Sequence, residues 1–300
     1  MRGIGIAWWL VVFFVASLIS ITRSETTEVC VEEKAQGSLE DNTQTKAKMT
    51  SNILKFSNKD DLSAAVGEHV LRVVKESADK DKFLVALSGG SLPTLLAAGL
   101  LEHQDEIDFS KWHIFFADER LVPHDDPESN LLACKNEFLA KIPGVNADQV
   151  YGIDYEVSVE EAAKKYQTVL ETVSGVSAAS GAPPPSFDLI LLGMGPDGHT
   201  CSLFPGHPLL QETESWVAPI EDSPKPPPKR ITLTYPVLNV AENVFFLAAG
   251  KSKEDVIPLT AGLTSEGLVE LGEAALPAAR VRPTSGKLLW FIDDEAGAKL

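Results

Sequence analysis

The sequence predicts an α/β protein: a single doubly wound domain on a mostly parallel sheet. Three observations predict it. Short apolar runs without polar alternation recur at residues 83–87, 112–117 and 187–192, the mark of strands buried on both faces. Segments with helical apolar spacing lie between them. Each of these strands also runs into a glycine-rich or charged turn, the position at which open α/β sheets bind ligands.

The elements follow in chain order. Residues 58–78 place Leu62, Ala65, Val66, Val70 and Val73 on one helical stripe, with Asn58 or Asp60 as cap. Strand 83–87 ends in Ser88-Gly89-Gly90-Ser91, and a helix over 93–101 carries Pro93 in its first turn. Strand 112–117 ends at Asp118-Glu119-Arg120. A helix over 127–140, a short strand at 150–153 and a helix over 157–173 come next. Residues 174–185 are small and Gly/Pro-rich, an exposed loop. Strand 187–192 leads into Gly193-Met194-Gly195-Pro196-Asp197-Gly198-His199. Strands at 231–235, 244–249 and 288–292 extend the sheet, and a helix follows Lys251. Residues 51–300 form one domain.

Four polar segments fall at strand ends. In Ser88-Gly89-Gly90-Ser91 the glycines let backbone approach a ligand, and the following helix offers unpaired N–H groups to an anion. A tight turn with no ligand is the alternative. The segment lacks the lysine of a Walker loop and the third glycine of a dinucleotide fingerprint. In Asp118-Glu119-Arg120 the arginine can hold an oxyanion, and a surface ion pair among the three is the alternative. In Gly195-Pro196-Asp197-Gly198-His199-Thr200 the histidine is placed to act as a general base, with Asp197 to orient it. His207 is its nearest rival. The fourth segment is basic: Lys225, Lys229 and Arg230 flank Pro226-Pro227-Pro228, and Lys251 follows a strand. Phosphate is a natural partner for such cations, while at least one of Lys225, Lys229 and Lys253 reads as an ordinary surface lysine.

Composition narrows the classes. Of 300 residues, 43 are Asp or Glu and 26 Lys or Arg, a formal net charge of −17. Binding to nucleic acid needs cations against phosphates, so the balance argues against that partner and against anionic lipid surfaces. A small phosphorylated ligand stays compatible with a local basic pocket. Cys30, Cys134 and Cys201 match no zinc, redox or disulfide spacing, and neither metal nor cofactor is expected.

Residues 1–24 differ from the rest. Arg2 and Arg23 flank an uncharged apolar run, which reads as a secretory signal or an uncleaved signal anchor. Residues 25–50 read as a disordered polar linker. The expected address is the secretory pathway, with the domain in the endoplasmic reticulum lumen or secreted. The domain meets the membrane only if the segment is uncleaved. The absence of any Asn-x-Ser/Thr sequon cuts against long residence there. The terminal Ala298-Lys299-Leu300 resembles a weak peroxisomal signal.

In their order, Leu-Ser-Gly-Gly-Ser-Leu-Pro (87–93), Asp-Glu-Arg-Leu-Val-Pro (118–123), the fourteen-residue run from Gly193 to Gly206 and Pro-Lys-Pro-Pro-Pro-Lys-Arg-Ile-Thr (224–232) resemble the 6-phosphogluconolactonases of the glucosamine/galactosamine-6-phosphate isomerase superfamily. The resemblance implies hydrolysis of 6-phospho-D-glucono-1,5-lactone to 6-phospho-D-gluconate in the oxidative pentose phosphate pathway. It also implies a glucose-6-phosphate or hexose-6-phosphate dehydrogenase as functional partner. His199 would be the base on water, Arg120 the oxyanion stabiliser and Asp197 the orienter. Ser88, Gly89, Gly90, Ser91, Arg230 and Lys251 would hold phosphate. The related deaminase/isomerases carry Asp-Glu-Tyr where this chain has Asp-Glu-Arg, and an acid before the loop proline where it has Phe204. Moving protons between carbons needs such carboxylates, so both departures favour lactone hydrolysis.

Overall fold

The computed structural model describes residues 52–263, 270 and 272–300. The expected signal segment and linker lie outside the described residues. Six strands form a wholly parallel sheet: β1 (Ile53–Phe56), β2 (Phe83–Leu87), β3 (Trp112–Phe116), β5 (Leu189–Leu192), β8 (Asn243–Ala248) and β9 (Lys287–Asp293). Their order across the sheet is β1-β9-β8-β5-β2-β3. Three more strands, β4 (Asp118–Arg120), β6 (Val217–Ile220) and β7 (Arg230–Leu233), form a separate antiparallel sheet in the order β4-β7-β6.

Strands β2, β5 and β8 are buried at every position, as the unbroken apolar sequences of β2, β5 and residues 244–248 of β8 require. Alternate residues serve opposite faces. On one face Val85, Leu87 and Phe291 pack with Leu62, Val66 and Val70 of helix α1 (Lys59–Glu76) and Leu96 of α2 (Leu92–Leu100). On the other, Ala86, Phe115 and Ile190 pack with Ala162, Tyr166 and Leu170 of α4 (Val159–Ser174). The predicted doubly wound architecture is therefore present. Asn58 caps α1 as expected, its Oδ1 accepting from the N–H groups of Asp60 and Asp61 at 2.9 Å. The Tyr166 hydroxyl accepts from the Phe116 N–H at 2.7 Å and so pins α4 to the end of β3.

Helices α1 and α2 meet through two glycines. A Cβ on Gly99 would lie 1.8 Å from the Ser63 carbonyl oxygen, and one on Gly67 would lie 2.3 Å from that of Gly99. Backbone cannot yield there, so Gly99→Ala should cost about 1–3 kcal/mol or more by overpacking. Thermal unfolding monitored by circular dichroism should show a midpoint several degrees lower; an unchanged midpoint would remove this contact from the account.

The structure departs from the sequence reading in several places. The strand expected at 231–235 is β7, and it lies in the antiparallel sheet instead of extending the parallel one. The helix expected over 127–140 is one α-turn, α3 (Asn130–Cys134), running into a π turn at Lys135–Leu139. The strand expected at 150–153 is a single parallel bridge from Val150 to Ile114. The helix expected after Lys251 is one 3₁₀ turn, Lys251–Lys253, followed by further turns. Pro258, which has no N–H to give, sits where that helix would continue. Strands β1 and β6 went unread, being four residues each; Pro219 within β6 argues against a strand unless, as here, it is an edge.

The topology places the site. From β2 the chain moves outward to β3, and β5 then returns on the other side of β2. Such a switch opens a crevice between neighbouring loops at the carboxyl ends of the strands.

Candidate active site

A cleft of about 280 Å³ occupies that crevice. Ser88, Gly89, Gly90 and Ser91 line it from the end of β2, Asp118 and Arg120 from β4, Gly193 to Pro196 and His199 from the loop after β5, Arg230 from β7 and Lys253 from the turn after β8. Residues 165 positions apart in sequence thus share one wall because parallel strands bring their carboxyl ends to the same edge.

The first wall has the geometry to cradle an anion. Helix α2 begins at Leu92, and no side chain caps its first turn, so those N–H groups keep their donor capacity. Gly90 adopts φ of +69°. Gly89 is required by a close approach: a Cβ there would sit 1.8 Å from Asn130 Oδ1. The Ser88 hydroxyl is buried without a partner among the described residues.

The opposite wall carries His199. His199 Nδ1 lies 2.5 Å from Asp197 Oδ1. Gly195 makes room for the pair, since a Cβ would fall 2.0 Å from the imidazole and 2.4 Å from Asp197. The ring stacks on Phe204 at 4.8 Å between centroids and 27° between planes, and the Arg230 guanidinium lies 5.8 Å over the same phenyl ring. Burial lowers the His199 pKa below the usual histidine value; Asp197 opposes this and Lys225 adds to it. Burial would raise Asp197, but the His199 hydrogen bond and the charges of His199 and Lys225 outweigh it and hold the carboxyl at about 2. The pair at neutral pH is therefore a carboxylate beside a neutral imidazole.

The Arg120 guanidinium is anchored at one end only. Its Nη1 donates to the Glu128 carbonyl at 2.7 Å and lies 3.3 Å from the Glu128 carboxylate, while Nε is buried without a partner among the described residues. Glu119 is not part of a surface ion pair. It is fully buried and accepts from the N–H groups of Arg120, Asn130 and Leu131 at 2.8 Å each and from Ser129 Oγ at 3.2 Å. Burial raises its pKa against those hydrogen bonds. It thereby clamps the start of α3 beside Arg120. Asp118 accepts from Ser202 Oγ at 2.7 Å, which staples the histidine loop to the antiparallel sheet.

The sequence-predicted residues thus converge with one exception. Lys251 does not line the cleft: Gly250, at φ +89°, turns the chain so that Lys251 is exposed and Lys253 is the lysine on the wall. Arg230 is present and buried, but Nε and Nη2 donate to the carbonyls of Pro227, Lys225 and Pro226 at 2.8–3.0 Å. Sequence reasoning assigned no role to Asp118, Asn130 or Lys253. The cation pattern held a signal for Lys253, which stands two residues after Lys251. Asn130 is placed against Gly89 by tertiary structure alone.

Residues 57–290 match the family described as glucosamine-6-phosphate isomerases/6-phosphogluconolactonase. The chain belongs to this family. Among its members, the 6-phosphogluconolactonase of Rattus norvegicus is 44% identical over 250 residues, 82% of this chain and 91% of that protein. The Homo sapiens 6-phosphogluconolactonase is also 44% identical over 250 residues, covering 82% and 92%. The solved structure of 6-phosphogluconolactonase from Trypanosoma brucei superposes with a TM-score of 0.69 at 26% identity, covering 84% of this chain and all of that one. A monomeric glucosamine-6-phosphate deaminase shares the fold at 20% identity, with a TM-score of 0.63 over 83% of this chain and all of that one. This protein is therefore a hydrolase on the lactonase side of the family.

Proposed function

We propose that the cleft hydrolyses 6-phospho-D-glucono-1,5-lactone to 6-phospho-D-gluconate, the second step of the oxidative pentose phosphate pathway. One observation carries the reading: a neutral histidine, oriented by a carboxylate, faces the same cleft as an uncapped helix start and a half-anchored arginine. Phosphate binds the 88–91 loop and the α2 N-terminus, with Lys253 in the place first given to Lys251. Arg230 adds positive charge to that wall while its hydrogen bonds hold the neighbouring loop. His199 Nε2 takes a proton from water as the water oxygen bonds to the lactone carbonyl carbon. Arg120 stabilises the oxyanion. As that intermediate collapses, the bond from the carbonyl carbon to the ring oxygen breaks and His199 returns the proton to the ring oxygen. The low His199 pKa suits this role: kcat/KM should hold below the ordinary histidine range and fall only as the ring takes a proton there.

Two lysines test the phosphate assignment. Lys253→Ala should raise KM about tenfold by loss of one charge-assisted contact, and Lys251→Ala should leave KM within about twofold. Steady-state kinetics with the lactone would reveal the reverse ranking if Lys251 were the ligand. The alternative reaction is that of the isomerases and deaminases. Phe204, buried under His199, stands where a proton-carrying acid would be needed, so ammonia release from glucosamine 6-phosphate should not exceed background.

We also keep the reading that residues 1–24 direct the chain to the secretory pathway, with a hexose-6-phosphate dehydrogenase supplying the lactone in the lumen. Its support is the uncharged apolar run between Arg2 and Arg23. At the other terminus, Lys299 pairs with Asp255 at 2.5 Å, while Leu300 is exposed. Terminal fluorescent fusions with and without residues 1–24 should switch compartment; a cytosolic pattern for the full chain would contradict this address.

A further inference from the structure

From sequence Lys225 is one of the cations beside the prolines, a phosphate partner or an ordinary surface lysine, yet three polar groups meet where it ends. Its Nζ lies 3.3 Å from Asp197 Oδ1 and 3.1 Å from His199 Nδ1, and these two atoms are 2.5 Å apart. An ammonium only donates. Were Nδ1 the unprotonated nitrogen, its lone pair would face a carboxylate oxygen at 2.5 Å. The arrangement is consistent only if Nδ1–H and Nζ–H both point at Asp197 Oδ1, which leaves Nε2 as the basic nitrogen. A fixed positive charge then stands 3.1 Å from the ring and opposes its second proton.

Lys225 is not one of the residues lining the cleft; it meets the ring at Nδ1. Its place is built. Ser223 Oγ donates to the Lys225 carbonyl at 2.9 Å and accepts from the Lys225 N–H at 3.3 Å. Three prolines follow, each with φ fixed. The buried Arg230 then grips the carbonyls of Lys225, Pro226 and Pro227. Four of its five N–H positions face protein oxygens, counting Nη1 to Ser202 Oγ at 3.4 Å.

We propose that Lys225 is a positioning residue for the base: its ammonium locks the Asp197–His199 pair in the tautomer with Nδ1 protonated and adds to burial in opposing a second proton on the ring, and Arg230 holds it there through the proline loop. The proposal rests on the reading of His199 as base. The charged groups facing His199 are Asp197 on its own loop, Asp118 on β4, Lys225 on the proline loop and Arg230 on β7; Lys253 after β8 faces Lys225 and Asp197. Asp197 and Asp118 favour the protonated ring, so Lys225 is the nearest group that counters them.

The test compares Lys225→Met, Lys225→Arg and Arg230→Lys in the full chain. kcat/KM is followed from pH 5 to 9, alongside nitrogen-15 resonances of the His199 ring identified by their loss in His199→Gln. Lys225→Met should move the acid limb and the ring titration to higher pH, with activity lost about three- to tenfold more deeply at pH 6 than at pH 8. Lys225→Arg should restore the wild-type limb, and Arg230→Lys should move it part of the way. A uniform loss at every pH, or an unmoved ring titration, would overturn the proposal and leave Lys225 as loop support. Full activity in His199→Gln would instead overturn the base assignment, whatever the lysine variants do.

Discussion

His199→Gln should lower kcat for the phosphorylated lactone by about 10²- to 10⁴-fold, the usual range for losing a general base. Each decade is about 1.4 kcal/mol of transition-state stabilisation. The physical reason lies in the pair. Asp197 holds the proton on Nδ1, burial keeps the ring neutral, and Phe204 fixes its plane, so a lone pair is already aimed when water arrives. A glutamine keeps most of the volume and some polarity but cannot take the proton. Binding of 6-phosphogluconate, read by calorimetry, should survive, because the proposed phosphate ligands lie after β2 and after β8. Loss of both binding and turnover would mean that His199 supports the cleft. Because the lactone also opens unaided, the rate without enzyme must be subtracted before the variants are ranked.

Arg120→Met should cost about 10²- to 10³-fold in kcat, with a smaller effect on KM. The guanidinium is held at Nη1 by Glu128, and its Nε is buried with no partner among the described residues. Such a group contributes most when negative charge develops, and little to the neutral carbonyl of the bound lactone. Arg120→Lys should recover only part of the loss, since an ammonium cannot both reach Glu128 and fork toward an oxyanion. Glu119 enters here as support. Buried and bonded to three backbone N–H groups, it fixes the segment that carries both Arg120 and Asn130. If Arg120→Met raised KM with kcat unchanged, the arginine would belong to ground-state binding, and the phosphate cradle would need to be redrawn around it.

How much of this was legible in the chain follows from what each signal depends on. The strands buried on both faces announce themselves as unbroken apolar runs, and the loops after them as sudden glycine and charge. Together these place the 88–91 loop, Arg120, Asp197 and His199 at one edge of the sheet before any coordinate is known. The antiparallel sheet was illegible, because β4 is three charged residues and β6 contains a proline. Lys253 was passed over for Lys251 because the direction of a side chain after a positive-φ glycine is not written in residue type. Glu119 read as a surface acid since nothing local shows that a helix start 11 residues later will close over it. Lys225 was hardest to see. Its meaning depends on a buried arginine gripping the loop and on a carboxylate 28 positions away.

The most direct test of the account is a progress curve. The lactone is generated in place by glucose-6-phosphate dehydrogenase, and its disappearance is followed with increasing amounts of the full-length chain. The expected result is a first-order rate that rises in proportion to enzyme above the spontaneous rate, with no ammonia released from glucosamine 6-phosphate by the same preparation. A lactone rate that stays at the spontaneous value at every enzyme concentration would contradict it.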